Sequence, residues 1–289
     1  MKRSIITLLL SLCLTSQVAF AAAKDPFTAG REALKKGDAA AATEQFEKAV
    51  AQKPTAEGYY WLGVAYGQQA MKANILKQAM LARKTKDAFE RAVQLDPKSV
   101  DARLALIDYY LIAPGVLGGS ADKAKEQAVA LRSIDSLAGH RAHAKIHNKD
   151  KQYALSRAEM VAAVREQPAS AAAHYYLGNA YYNEKNYTAA MHEYEMSAKL
   201  DPTYLRAQFR IGVTAATSGT ALARGEETLK RYLAQPAGDD DPPHASAWYY
   251  LGQVYEKQGR KADAKRSYLA AQKLAPEAKE VAAAIKRVS

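Results

Sequence analysis

The stretch AAAHYYLGNAYYNEKNYTAAMHEYEMSAKLDP, residues 171–202, decides the fold. Leu177, Gly178 and Tyr181 lie three and four residues apart, so they share one face of a first helix. Ala190, Tyr194 and Ser197 share a face of a second. The polar run Asn183-Glu184-Lys185-Asn186 separates the two, and Pro202 closes the unit because proline cannot continue a helix. The small residue lets two helix backbones approach, and the aromatic side chains fill the space between helices.

Outward from this stretch the spacing recurs. The interval from Gly178 to Pro202 is repeated from Gly30 to Pro54, from Ala144 to Pro168, from Gly212 to Pro236 and from Gly252 to Pro276. Pro168, Pro202 and Pro236 themselves step by 34. The pattern Leu-Gly-x-x-Tyr, Ala-x-x-x-Tyr, Pro at this period resembles the tetratricopeptide repeat. Seven units can be placed, beginning near Ala23, Ala56, Val100, Leu137, Ala171, Leu205 and Ala245. The resemblance covers nearly all of the chain after residue 23. It implies an all-α fold, a right-handed superhelical solenoid of antiparallel helix pairs spanning 24–276. Residues 277–289 read as a capping helix over the last apolar face.

Residues 1–23 read as a signal peptide. Lys2 and Arg3 make a positive start, Ile5 to Leu14 is an apolar run too short to span a bilayer, and Ala19-Phe20-Ala21 is a small-x-small cleavage signal. The sole cysteine, Cys13, falls inside this segment, and Leu12 stands where lipoprotein processing requires a small residue. The expected location is the periplasm, with a mature chain that forms no disulfide.

The formal net charge of +11 falls to +9 without Lys2 and Arg3. A basic chain favours acidic partners or anionic surfaces. The charges are interspersed with Asp and Glu, and no arginine-rich arm or nucleic-acid motif occurs, so no nucleic acid is expected as ligand. No Gly-x-Ser-x-Gly elbow or phosphate loop is present, which argues against an enzyme and against a cofactor.

Three insertions interrupt the period. The interval from Gly63 to Pro97 is longer than the others, and the surplus near 68–85 is rich in helix formers, which predicts longer helices. Its Met71, Ile75 and Met80 are apolar and its Lys72, Lys77, Arg83, Lys84 and Lys86 basic. Such a segment either packs on the next unit or serves as a docking ridge or anionic-membrane contact. Residues 113–119 lengthen the turn of unit three, with Ser120 as N-cap of the helix that follows. This Ala-Pro-Gly…Gly-Gly insertion is similar to those of secreted bacterial repeat proteins. The third insertion, 239–244, opens with three aspartates and reads as a solvated turn and helix cap rather than a calcium loop. In unit four His140, His143 and His147 share a helical face; packing between helices is the expected role, because no carboxylate or cysteine of the sequence neighbours them to complete a metal site.

In the tetratricopeptide family the first helices line the concave surface. Positions three before and one after each glycine slot then place Tyr60 and Val64, Arg141 and Lys145, Tyr175 and Asn179, Phe209 and Val213, and Tyr249 and Gln253 on that surface. Tyr182 lies one turn past Asn179, and Arg206 and Arg210 project from unit six. Some family members clamp a peptide's C-terminal carboxylate with two Asn and three basic residues. Arg141, Arg206 and Arg210 fall on the basic positions, Lys145 and Tyr176 stand where Asn is expected, and Asn179 is one turn away. The implied function is an interaction scaffold whose groove takes an acidic or C-terminal peptide, its three arginines converging without acidic neighbours. The alternative is a polysaccharide or envelope-polymer subunit, with the tyrosines stacking on sugars.

Overall fold

A computed structural model describes residues 25–238 and 241–289. The expected signal peptide, its cleavage site and Cys13 lie outside the described residues, as do Asp239 and Asp240. Helices follow one another in antiparallel pairs: α1 (Pro26–Lys35) with α2 (Ala39–Gln52), α3 (Ala56–Met71) with α4 (Ile75–Leu95), and α5 (Val100–Ile112) with α6 (Ala121–Ile134). Next come α7 (Ser136–Lys149) with α8 (Tyr153–Glu166), α9 (Ala171–Asn183) with α10 (Tyr187–Leu200), α11 (Leu205–Ser218) with α12 (Leu222–Leu233), and α13 (His244–Lys257) with α14 (Lys261–Leu274). Helix α15 (Lys279–Val288) stands alone at the end. The described residues contain no strand. Each helix packs chiefly on its neighbours in sequence, so the described residues form a superhelical stack of seven hairpins around a core running its length.

Helix starts are set by short polar side chains. Asp38, Thr55, Asn74, Ser99, Ser120, Asp135, Ser170 and Asn186 each accept a hydrogen bond from a backbone N–H of the first turn. A cap of this kind stabilises its helix by roughly 1 kcal/mol.

The glycine slot has a direct physical reason. A Cβ on Gly178 would stand 2.6 Å from the Tyr194 ring, and one on Gly252 would strike the Tyr268 ring. Gly30 faces Phe46 and Gly63 faces Phe89 in the same way. The spacing of glycine to ring is the same in units one, five and seven, and longer in unit two, where the insertion lengthens the pair. In unit six Gly212 faces Leu229, one position later than the other units would place it. The slip follows a left-handed residue, Ala221, at the start of α12.

A second ladder shares the period. His140 and His174 hold equivalent positions in successive units, and each reaches the equivalent glutamate of its partner helix: Nδ1 of His140 to Glu159 at 2.7 Å, Nδ1 of His174 to Glu193 at 2.6 Å. His174 Nε2 also lies 3.1 Å from the Pro168 carbonyl, and Gln208, one repeat later, donates to the Pro202 carbonyl at 2.6 Å. These side chains tie the first helix of a unit to its partner and to the preceding turn.

The expectation of no carboxylate near the unit-four histidines is therefore corrected. Fully buried His140 contacts both Glu159 and Glu166 of α8, and Arg132 bridges the same two carboxylates. The facing helix brings these groups together, which spacing within α7 could not reveal. His143 is half-buried, and burial holds its pKa below the ordinary value. His147 hydrogen-bonds Gln152. Among the described residues no cluster of three or more His, Cys, Asp or Glu is placed to hold a metal ion.

The first insertion is helical: α4 runs 21 residues. Its outer turn does not pack on the next unit, for Met71, Ile75 and Leu76 are exposed, while Leu81 returns to the core. The second insertion forms a short 3-10 turn at Gly115–Leu117 that lies on α4, with Gly118 over the Lys86 side chain. The cap reading of the aspartate run is corrected at Asp241. The N-cap of α13 is Pro243, with no side-chain bond, and Asp241 instead accepts from the Gly238 N–H and reaches Arg206. At the far end α15 buries Val281, Ala284 and Val288 against the last pair.

Candidate functional site

Side chains from α7, α9, α10 and α11 meet in an aromatic belt. The Tyr175 ring packs edge-on against Tyr176 at 5.2 Å and Tyr204 at 5.4 Å, and tilted against Tyr194 at 6.0 Å. The Arg141 guanidinium lies 4.1 Å from the Tyr176 ring centre, and that of Arg210 lies 4.1 Å from the Tyr182 ring and 5.2 Å from Tyr194. Stacking of this kind holds a guanidinium plane while sparing its N–H edge.

Tyr194 joins the parts. Its ring is fully buried over Gly178, and its hydroxyl donates to Asn179 Oδ1 at 2.8 Å and accepts from Arg210 Nε at 2.9 Å. Burial raises the Tyr194 pKa well above the usual phenol value, against the opposing pull of Arg210, so the hydroxyl stays neutral and keeps both roles. Tyr204 is pushed up to about 12, first by burial, and its hydroxyl lies in the fields of both Arg206 and Arg141.

Two openings flank the belt. A cleft of about 310 Å³ is lined by Asp108, Arg141, Lys145, Tyr176, Asn179 and Met160. A wider one of about 700 Å³, lined by Tyr249, Tyr250, Gln253, Thr217 and Arg287, lies between α11, α13 and α15. The structure thus places Arg141, Lys145, Tyr176 and Asn179 together, Tyr175, Tyr182 and Arg210 in the adjoining belt, and Tyr249 and Gln253 in the second opening.

Phe209 and Val213 depart from the expected groove. Both are buried, at 7% and 2% exposure, and belong to the core. The chain between α12 and α13 is longer than elsewhere, and α13 packs directly on α11. Tyr250 then covers Phe209 at 5.8 Å, and Tyr182, Tyr249 and Tyr250 seal the same cluster. At unit six these two positions therefore belong to the core and not to the groove.

The charges are also corrected. Lys145 pairs with Asp108 and Arg206 lies 3.8 Å from Asp241, so two of the four basic groups already face carboxylates. Asp108 comes from the preceding unit and Asp241 from the following turn, and no spacing within one helix shows either. Arg141 and Arg210 have no carboxylate partner among the described residues. Arg141 makes no side-chain hydrogen bond there at all, so its N–H donors are unclaimed. Tyr194 and Tyr204 are the site residues that sequence reasoning missed. The signal for Tyr194 was a hydroxyl on the ring that fills the glycine slot, where units one and two carry Phe46 and Phe89.

This arrangement holds no nucleophile beside a base. It offers guanidinium donors backed by rings, a surface for carboxylates and planar groups.

The fold is that of an all-α superhelical repeat protein. The chain belongs to the tetratricopeptide repeat family: family models of that description match residues 27–85, 142–205 and 245–278. Proteins of this family bind protein or peptide partners and are generally non-enzymatic scaffolds. No curated protein sequence matches the chain. Yeast Tom70 superposes with a TM-score of 0.72 at 14% identity, over 91% of this chain and 52% of that one. A tetratricopeptide repeat protein from Parabacteroides merdae ATCC 43184 superposes at 0.53 with 13% identity, over 91% and 97%. A human IFIT1 dimer with m7Gppp-AAAA gives 0.57 at 17%, over 85% and 58%. At such identities the likeness concerns the fold alone, and the chain spans about half the length of Tom70.

Proposed function

We propose that the concave face of units four to seven binds an extended peptide bearing an acidic group or a free C-terminus, and that the protein acts as an interaction scaffold in the periplasm. One observation carries the reading. Arg141 and Arg210 are held on tyrosine faces without carboxylate partners among the described residues, on either side of Tyr175. A carboxylate entering there makes charge-assisted bonds that nothing else in the described chain supplies. The positive leader, apolar run and small-x-small signal of residues 1–23 support export.

The test is a titration of a fluorescent peptide rich in Asp and Tyr, with its C-terminus free or amidated, against wild type and Arg141→Ala/Arg210→Ala. The expected result is binding that weakens with salt, because the groove is open to solvent, and that falls about tenfold or more in the double variant. Equal affinity for wild type and variant removes the arginines from the mechanism. The half-buried rings of Tyr175 and Tyr249 also suit sugar stacking. If a neutral oligosaccharide binds wild type but not Tyr175→Ala/Tyr249→Ala, the polysaccharide reading replaces the peptide one.

A further inference from the structure

The α3–α4 hairpin ends in an apolar tip that the groove does not use. Met71, Ile75, Leu76 and Met80 are 78%, 81%, 83% and 50% exposed. The corresponding turns Lys36-Gly37-Asp38, Asn183-Glu184-Lys185-Asn186 and Gln258-Gly259-Arg260 are polar. The seven residues by which α4 exceeds the 14 of α10 carry the tip about 10 Å further out at the helical rise of 1.5 Å per residue. On the neighbouring turn Ile112 and Val116 are exposed at 77% and 86%, so the apolar edge continues onto unit three.

The charges that the tip segment itself carries are of one sign. From Gly58 to Lys86 the chain has no Asp or Glu, while Lys72, Lys77, Arg83, Lys84 and Lys86 are basic. Lys84 faces Glu47, Lys86 faces Asp87, and Lys72 donates to the Gly37 carbonyl. Lys77 and Arg83 make no ion pair among the described residues.

We propose that this tip is a membrane contact, which docks the solenoid on the headgroup region of an anionic bilayer. A convex point of four aliphatic and thioether side chains has no concavity to hold a peptide. Even with Ile112 and Val116 the exposed apolar side chains here fall short of the roughly 20–30 residues that a stable interface takes from each partner. A bilayer needs neither feature: it takes up protruding apolar side chains and is drawn to surrounding cations. No described helix is long and apolar enough to cross a membrane, so the contact is peripheral. The tip lies on the edge formed by the turns within units, away from the belt, so one molecule can engage a bilayer and a peptide together.

The experiment uses the full chain with Cys13→Ser and Leu76→Cys, labelled at position 76 with an environment-sensitive dye. A second chain carries the dye at Val129→Cys on α6. Vesicles are either pure phosphatidylcholine or contain phosphatidylglycerol. The dye at 76 is expected to shift to the blue and brighten with the anionic vesicles only, and the dye at 129 to stay unchanged. Because the readout is local, it is blind to membrane affinity of residues 1–24. In chains labelled at Met80→Cys, Ile75→Glu/Leu76→Glu should lower the vesicle concentration response on the order of tenfold or more, and Lys77→Gln/Arg83→Gln several-fold. Both pairs are exposed, so melting temperatures should match wild type. A dye silent with both vesicles, an equal response to neutral vesicles, or an undiminished response in Ile75→Glu/Leu76→Glu overturns the proposal. A blue shift without vesicles that tracks a concentration-dependent dimer assigns the tip to a second copy and overturns it equally.

Discussion

Tyr194 carries two jobs at one position. Its ring fills the space above Gly178, and its hydroxyl holds Asn179 and Arg210 in the belt. Two substitutions separate the jobs. Gly178→Leu drives a side chain into the ring, and overpacking of this kind costs about 1–3 kcal/mol or more, read in a denaturant melt. An unchanged midpoint would mean that the glycine slot does not set the helix spacing. Tyr194→Phe keeps the ring and removes the hydroxyl, which should cost only about 1 kcal/mol of stability. Peptide affinity, measured with the free-C-terminus probe, should fall several-fold because Arg210 loses its anchor. Loss of stability without loss of affinity would confine Tyr194 to packing.

At the scale of elements, α15 caps the end of the stack. Its apolar face covers α14, and Arg287 fixes it to the body through Glu256 of α13, at 2.6 and 2.8 Å. The hydrogen bond from Arg287 holds the Glu256 carboxyl below its ordinary value of 4.5. A depressed carboxylate contributes stability above that value and loses it as pH falls through the folded-state pKa, because protonation then favours the unfolded chain. The melting temperature of Arg287→Ala should therefore lie below wild type at neutral pH, and the gap should close in acid below 4.5. A gap that persists unchanged at low pH would assign the effect to the packing of the arginine stem rather than to its charge.

At the scale of the molecule, the stack has no single centre. Each unit touches mainly the units beside it, so stability is approximately a sum of hairpins and nearest-neighbour interfaces. A lesion should then act locally. Hydrogen exchange of Val281→Asp should show lost protection in α13, α14 and α15, with α1 to α4 unchanged. Uniform loss along the chain would describe one cooperative body instead of a solenoid. The same organisation explains how Asp108 from unit three, Arg141 from unit four, Tyr176 from unit five and Tyr204 before unit six reach one surface. Stacking converts a full repeat of chain into one inter-helix step.

The repeat was determined by the sequence alone. Glycine slots, aromatic fillers and closing prolines at a fixed interval are local signals, and each acts through backbone approach or dihedral restriction within one hairpin. The seven hairpins follow from them, and so do the long α4 and the Ser120 cap. Much of the candidate surface follows too, since Arg141, Tyr175, Asn179, Tyr182, Arg210 and Tyr249 sit at positions that the hairpin geometry fixes. What only the tertiary structure decided concerns groups from different units. The burial of Phe209 depends on how α13 settles on α11 after an irregular connection. The pairing of Arg206 with Asp241 and of Lys145 with Asp108, like the two glutamates around His140, crosses from one helix to another. Helical periodicity reports which residues share a face of one helix; it is silent about which charge the next helix brings against that face.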